Sequence, residues 1–525
     1  MSHAPPSSAR IREEQLLINH RLDFSAAYMG IKYIGGHAAD YPLTVTRHTL
    51  DALFSVFKTA GFKKAKQAFF LYHEAACTLV DMGKARQNDI TRPIVPKLVS
   101  LLMKSSGNKL RALSQALGQL AENRPVSNMP SFPNIIPLDT DISCLAENLT
   151  LPGQGFPTDT QWAWKGRSLI LRAKEKIIGV IKFATTKDNI NEIYQEAIWM
   201  DWFSINSLEF ENHVPKPVCI QDRYLFKITD KLPEGGPKTI SEPVCIAFIP
   251  CPGYYEYPNL KGTDLEHIKL SFFKSALALG QLSSQGIFHT ALIPLFHNRV
   301  QQERRNDNGR YLWEHAGRLD QWLDSSRFPN FAASGLRDFE HIACRAKPLD
   351  LEHYTGEYLL SFILVAGACF RNKAPHRRGT DDSRPYVDTR DLFCPDLFES
   401  LLTGVCKHYF KGLTKSDTFD PAPFNIPALI ERLIEKMGID AHMQELLRVQ
   451  DQLAMDDDQF KQFLRERGAT AIPAKGEKEI MLFTGPHLGE FNQVISVPEL
   501  IEFLFKFSAF CVSTCFLKKH HLMPH

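Results

Sequence analysis

The sequence predicts an α+β protein in which a small antiparallel sheet lies between helical regions, and three observations predict it. Apolar residues recur at three-and-four spacing through 43 to 122, as in LDALFSVFKTAGF and KLVSLLMK, which is the period of amphipathic helices. The period then drops to two in SLILRA and IIGVIKFA, joined as a hairpin by the charged turn KEK, and RYLFKITD and PVCIAFIP add two further strands. From about 262 the helical pattern returns, first in HIKLSFFKSALALGQLSSQG and then in GEYLLSFILVAGACF.

Between the first helices and the strands lies RPVSNMPSFPNIIPLDTD, residues 124 to 141, whose four prolines cannot continue a helix. A boundary is expected there. The chain then divides into a mainly helical N-terminal region with its linker, 1–141, a strand-rich lobe, 142–255, a helical lobe, 256–395, and a C-terminal helical domain, 396–525. A length of 525 residues accommodates several such units. There is no internal repeat and no low-complexity tract.

Hydrophobic residues at 44% and charged residues at 23% fit a globular protein, and a net charge of +2 exerts no overall pull toward nucleic acid or anionic membrane. The 11 cysteines form no CxxC pair; Cys511 and Cys515 are the closest useful spacing and have no zinc-site partners, so a reduced, cytoplasmic setting is expected. The N-terminal MSHAPPSSARIREEQ lacks the apolar core of a secretory signal, so the chain is not expected to be marked for general export, and export by a specialised injection machine stays open. YLLSFILVAGACF and LIEFLFKFSAFCVSTCFL, the latter interrupted by Lys506, fall short of about 18 to 20 clean apolar residues and read as buried helices rather than membrane spans.

Within IIGVIKFA, alternation puts Ile178, Val180 and Lys182 on one face of a strand. A lysine in line with core residues ordinarily lies on an edge strand and extends its amine to solvent. The segment that follows argues for more. Asp188 or Asn189 can cap a helix whose buried stripe is Ile190, Ile193, Tyr194, Ala197 and Ile198, with Glu196 bordering the stripe. A strand lysine held by a helix glutamate is the device with which protein kinases grip nucleotide phosphates. Lys182 and Glu196 fill those roles, with Glu192 one turn earlier as the alternative partner. The order of sheet and helices then predicts a bilobal protein-kinase-like core, flanked by helical N- and C-terminal domains.

The kinase catalytic-loop pattern H-R-D-L-K-P corresponds to His289, Thr290, Ala291, Leu292, Ile293 and Pro294 in GIFHTALIPLFHN. Histidine, leucine and proline persist, but alanine replaces the aspartate that accepts a hydroxyl proton. A polar, arginine-rich insertion follows at 299–329. Beyond it, Asn330 stands eight residues before Asp338, an amide and a carboxylate whose hard oxygens suit magnesium on nucleotide phosphates. Read without these neighbours, RDFE is an ordinary surface tetrapeptide.

The spacing of 14 from Lys182 to Glu196, the aspartate-free HTALIP, the arginine-rich insertion and the Asn330–Asp338 pair together resemble the SidJ-type kinase-fold polyglutamylases, bacterial effectors whose pseudokinase core ligates glutamate to proteins. The resemblance covers about 160 to 370. It implies ATP and Mg2+ in the cleft, a target protein whose glutamate carboxylate attacks the α phosphate, and free glutamate as co-substrate that displaces AMP. The family's second nucleotide pocket uses a histidine, arginines and a tyrosine, for which His289, Arg304, Arg305, Arg310, Tyr311 and Arg318 are the candidates. Arg318 lies 12 residues before Asn330, as the family arrangement implies.

The chain departs from the family pattern in three places. Where the family has a second metal-binding aspartate this chain has His341, so the expected metal set is Asn330 and Asp338 with Glu340 as substitute; a later family glutamate matches Glu357 only with a shift. MQELLR, 443 to 448, matches only the first half of a calmodulin-binding IQ helix, and the DDD that follows repels acidic calmodulin, so calmodulin is not an expected partner. The competing readings are an ordinary kinase, which Ala291 opposes, a protein AMPylase of the same fold, and a non-catalytic pseudokinase scaffold.

Overall fold

The computed structural model describes residues 24–40, 45–58, 65–85, 89–121, 135–149, 159–205 except 175, 214–258 except 238, 239, 241 and 242, 265–293, 329–344, 350–369, 395–436, 448–466 except 449, 470–473, 479–482 and 498–520. The N-terminal helices are α1 (Phe24–Asp40), α2 (Arg47–Ser55), α3 (Ala65–Ala85), α4 (Ile94–Met103) and α5 (Gly107–Gly118). Thr46 caps α2 by accepting from the Thr49 amide at 3.3 Å, while the Thr49 hydroxyl accepts from the Thr46 amide. In α4, Ile94, Leu98 and Leu102 repeat every four residues and are fully buried.

The sheet region follows as β1 (Leu138–Thr140), α6 (Ile142–Asn148), β2 (Thr160–Lys165), β3 (Ser168–Ala173), β4 (Lys176–Phe183), α7 (Lys187–Ile205), β5 (Lys216–Pro217), β6 (Phe226–Ile228) and β7 (Val244–Ile249). The strands form a seven-stranded sheet in the order β1-β6-β7-β4-β3-β2, with β5 also paired to β7. This sheet is mixed, not antiparallel as expected, because β1 runs parallel to β6. β1 comes from the segment read as linker. Leu138, Asp139 and Thr140 follow its last proline and keep the N–H groups a ladder needs; the Leu138 amide donates to Leu225 O at 2.9 Å.

Alternation along β4 sends neighbouring residues into two different cores. Ile181 and Phe183 pack with Ile142 and Leu145 of α6 and with Leu149 just after it, whereas Val180 packs with Ile193, Tyr194 and Ala197 of α7. Lys182 shares the face of Val180, toward α7. The helix starts at Lys187 with Thr186 as its cap, whose hydroxyl accepts from the Asn189 amide at 3.3 Å; the cap therefore lies before both Asp188 and Asn189, the residues expected to supply it.

The remaining elements are α8 (Leu265–Ser284), β8 (Ile287–His289), β9 (Phe331–Ala332), β10 (Gly335–Leu336), β11 (Ile342–Cys344), α9 (Asp350–Cys369), α10 (Pro395–Thr414), α11 (Ile426–Lys436), α12 (Asp457–Glu466), β12 (Thr470–Pro473), β13 (Glu479–Leu482) and α13 (Pro498–Lys519). β12 and β13 pair antiparallel within the C-terminal region, which was expected to be mostly helical; the TAIP and EIML segments carry the β-branched Thr470, Ile472 and Ile480. α8 and α10 cross at a pair of glycines. A Cβ on Gly280 would lie 2.2 Å from Tyr409 O, and one on Gly412 would lie 2.3 Å from Leu277 O. The two backbones can meet only because neither residue has a side chain.

The last helix, α13, packs on α4, α5, α9, α10 and α11. Leu504, Phe507 and Cys511 are fully buried, the hydroxyls of Ser508 and Ser513 donate to carbonyls one turn back, and Lys506 pairs with Glu502 at 2.7 Å on a partly exposed side, so the largely apolar helix fits inside the molecule. Among the described residues, no helix is long and apolar enough to cross a membrane. The molecule is thus an α+β protein with a mixed seven-stranded sheet and many helices, an arrangement consistent with a kinase-like core.

Candidate active site

The face of β4 that carries Val180 delivers Lys182 to α7, where Glu196 lies on the inner side of the helix. The Lys182 Nζ donates to Glu196 Oε2 at 2.6 Å. Glu196 is fully buried rather than bordering the stripe, and the Lys182 amine is enclosed rather than extended to solvent, its side chain 8% exposed. Glu192, the alternative partner, is exposed and accepts from Asn189 Nδ2 at 2.6 Å.

Lys182 faces more than one carboxylate. Its Nζ lies 3.3 Å from Glu340 Oε2 and 3.5 Å from Asp338 Oδ1. Burial alone would lower the lysine's pKa, but Glu196, Glu340 and Asp338 outweigh it and hold the pKa above the ordinary value. Burial pushes the Glu196 carboxyl up to about 7 against the pull of Lys182, and Glu340 and Asp338 add to the rise. Burial would also raise Glu340, but Lys182 and Arg167 prevail and hold it below its ordinary value.

Arg167 has no counterpart among the sequence candidates. It occupies the turn between β2 and β3, where Lys165 pairs with Ser168 across Gly166 and Arg167. Its Nη2 donates to both oxygens of Glu340, at 2.8 and 2.5 Å. The only sequence signal was KGRS, a turn between two strands, of which β2 was not recognised.

The HTALIP loop and the acidic segment are fastened to each other by backbone. β8 pairs antiparallel with β11, placing His289 opposite Ile342. The Nδ1 of His289 accepts from the Ala291 amide at 3.3 Å, so its Nε2 is the protonated nitrogen and donates to Arg337 O at 2.8 Å. His289 is fully buried, bonded to its own loop and to the acidic segment rather than presented at a surface. Asn330 donates through Nδ2 to Ala291 O at 2.7 Å. The β9–β10 hairpin then returns the chain, and the Arg337 amide donates to Asn330 O at 2.8 Å. This closes the eight-residue gap and sets Asp338 beside Lys182.

Asp338 has φ 48° and ψ 61°, a left-handed conformation that Asp and Asn tolerate best among side-chain-bearing residues. At 30% exposure its carboxylate is the most open of the three around Lys182. Glu340, the substitute metal ligand, is held by Arg167 and Lys182. His341 Nε2 lies 3.6 Å from Glu340 Oε1, and Glu357 lies on α9, where its carboxylate meets His353 at 3.2 Å rather than the Lys182 cluster. Among the described residues, no group of three or more His, Cys, Asp or Glu side chains is placed to hold a metal ion. Arg304, Arg305, Arg310, Tyr311 and Arg318 lie outside the described residues, as does MQELLR apart from Arg448.

The fold and site define an α+β protein with a buried lysine–glutamate pair set against an acidic loop. No family model matches the chain. It is similar to the calmodulin-dependent glutamylase SidJ of Legionella pneumophila, 31% identical over 94 residues that span 16% of this chain and 11% of that protein. The similarity points toward a SidJ-related family over a minority of the chain.

Proposed function

We propose that the protein is a kinase-fold glutamylase, which uses ATP to adenylylate a glutamate side chain of a target protein and then joins free glutamate to it. One observation carries the reading: Lys182, paired with Glu196, meets Asp338 beside a loop that has Ala291 where a kinase needs a proton acceptor. A glutamate carboxylate is ionised near neutral pH, about three units above its reference pKa, and attacks without a base. The similarity to a glutamylase supports the same choice.

The residues present fit a polyphosphate. Lys182 and Arg167 are two cations directed at one group of carboxylates, and displacement of Glu340 would leave both available to phosphate oxygens. Bound ATP with magnesium would supply an electrophilic α phosphorus; Asp338 and Asn330 would hold the metal ion. In the first step a carboxylate oxygen bonds to that phosphorus, the α–β phosphoanhydride bond breaks, and pyrophosphate leaves. In the second, the amine of free glutamate bonds to the acyl carbon, AMP departs with the bonding electron pair, and the amine's proton passes to solvent. Lys182 and Arg167 stabilise negative charge on phosphate throughout, while Glu196 keeps the lysine in position.

The test is to supply α-labelled ATP with a target protein. Label should remain on protein without glutamate, and adding glutamate should release AMP and add the mass of one or more glutamyl residues. Transfer of γ-label would make the protein a kinase, AMP that persists whatever amino acid is supplied would make it an AMPylase, and no turnover at all would leave a scaffold.

A further inference from the structure

Below β7, the chain runs through CPGYYEYP and brings Tyr254, Tyr255 and Tyr257 around the guanidinium of Arg337. The guanidinium carbon lies 4.7, 5.0 and 4.1 Å from the three ring centres. A second cation uses two of the same rings, for the Lys165 ammonium is 5.3 Å from the Tyr255 centre and 5.7 Å from that of Tyr257. Cation–π attraction accounts for an arginine among aromatics but not for two cations sharing the same rings.

Charge compensation here is incomplete. Arg337 is only 8% exposed, yet its Nε and Nη1 are buried with no hydrogen-bond acceptor among the described residues. A phenol with its ordinary pKa of about 10 is neutral near pH 7 and brings no negative charge, and burial raises the pKa of all three tyrosines further. Asp338 is the carboxylate that acts on Arg337, and it also faces Lys182. Lys165 has its pKa lowered by partial burial and by the charges of Arg337 and Arg172, with no carboxylate among the described residues in opposition. A buried guanidinium with unused donors, beside a like charge, is the environment an oxyanion stabilises.

We propose that Lys165 and Arg337, with Tyr255 and Tyr257 as walls, form an oxyanion subsite distinct from the Lys182 cluster, taking a carboxylate or a phosphate. Lys165 is exposed at the tip of the β2–β3 hairpin and is the accessible end of the pair. Tyr255 and Tyr257 are half-buried, and the Ala333 amide donates to Glu256 O at 2.9 Å, so the aromatic segment is anchored to the β9–β10 turn that precedes Arg337. The site stands on this geometry and does not depend on the ligase reading.

Calorimetric titration of the full chain with sodium pyrophosphate and, separately, with L-glutamate tests the subsite. At least one probe should bind, and it should bind ten-fold or more weaker in Lys165→Met and in Arg337→Gln. The probe that behaves so identifies the source, phosphate or carboxylate. Lys165→Met carries the test on its own where the buried Arg337→Gln fails to fold. The proposal is overturned if neither probe binds or if Lys165→Met binds as tightly as the wild type.

Discussion

Arg167 and Glu340, 173 residues apart in sequence, share two hydrogen bonds of 2.8 and 2.5 Å. The contact ties the tip of a hairpin to the acidic loop, and through Glu340 it reaches Lys182 at 3.3 Å. The candidate site is therefore one charge network with two cations and three carboxylates.

Its pH dependence has a definite sign. Lys182 and Arg167 hold the Glu340 pKa below its ordinary value against the effect of burial, so Glu340 adds stability that is present above the unfolded glutamate pKa, about 4.3, and lost as pH falls through the folded one. Glu340→Gln should thus be less stable than the wild type at pH 7, with the difference in denaturation midpoint shrinking as pH falls below about 4.3. A difference independent of pH would show that the Glu340 charge is not involved.

Lys182→Ala should abolish ATP turnover and also destabilise the protein. The amine is enclosed and Glu196 is fully buried, so its loss leaves an unpaired buried carboxyl, at a cost of about 3 to 5 kcal/mol. Lys182→Met combined with Glu196→Leu should recover most of the stability in urea denaturation and none of the turnover. Recovery of turnover in the double variant would remove Lys182 from the chemistry.

Asp338→Asn should lose activity more completely than Glu340→Gln, and added magnesium should not restore it. Asparagine keeps the tolerance for φ 48° that alanine lacks, so the thermal midpoint should barely move. Steady-state turnover across a magnesium series checks this. Should Glu340→Gln be the inactive variant and Asp338→Asn the active one, Asp338 is not the metal-facing carboxylate.

Gly280→Ala should destabilise strongly, by roughly 1 to 3 kcal/mol or more, because its methyl would meet Tyr409 O at 2.2 Å and a backbone carbonyl cannot rotate away. Circular dichroism melting measures the loss. A melting point equal to the wild type's would mean that α8 and α10 cross less closely.

The parts legible in the sequence are those with local periodicity. Alternation in IIGVIKFA gives the face of Lys182, and the spacing of 14 to Glu196 brings a strand residue to the inner side of the next helix. Helix starts were less legible: with Thr186, Asp188 and Asn189 all able to cap, only geometry selects Thr186. β1 was hidden because three pairing residues stand directly after prolines. Arg167 and the tyrosines around Arg337 were invisible for another reason. Their partners lie far along the chain, and no local pattern marks an arginine whose acceptor is 173 residues away.

The packing of α13 on α4 and α5 affects how the protein is made. Leu102 and Leu113, near the beginning, and Leu504 and Phe507, near the other end, belong to one apolar cluster. A ribosome releases the first helices long before it synthesises the last, so for most of translation the early helices carry an apolar face with no partner. At about 5 to 20 residues per second, the 379 residues between α5 and α13 take roughly 20 to 80 seconds to make, a period in which that face is open to chaperones and to aggregation.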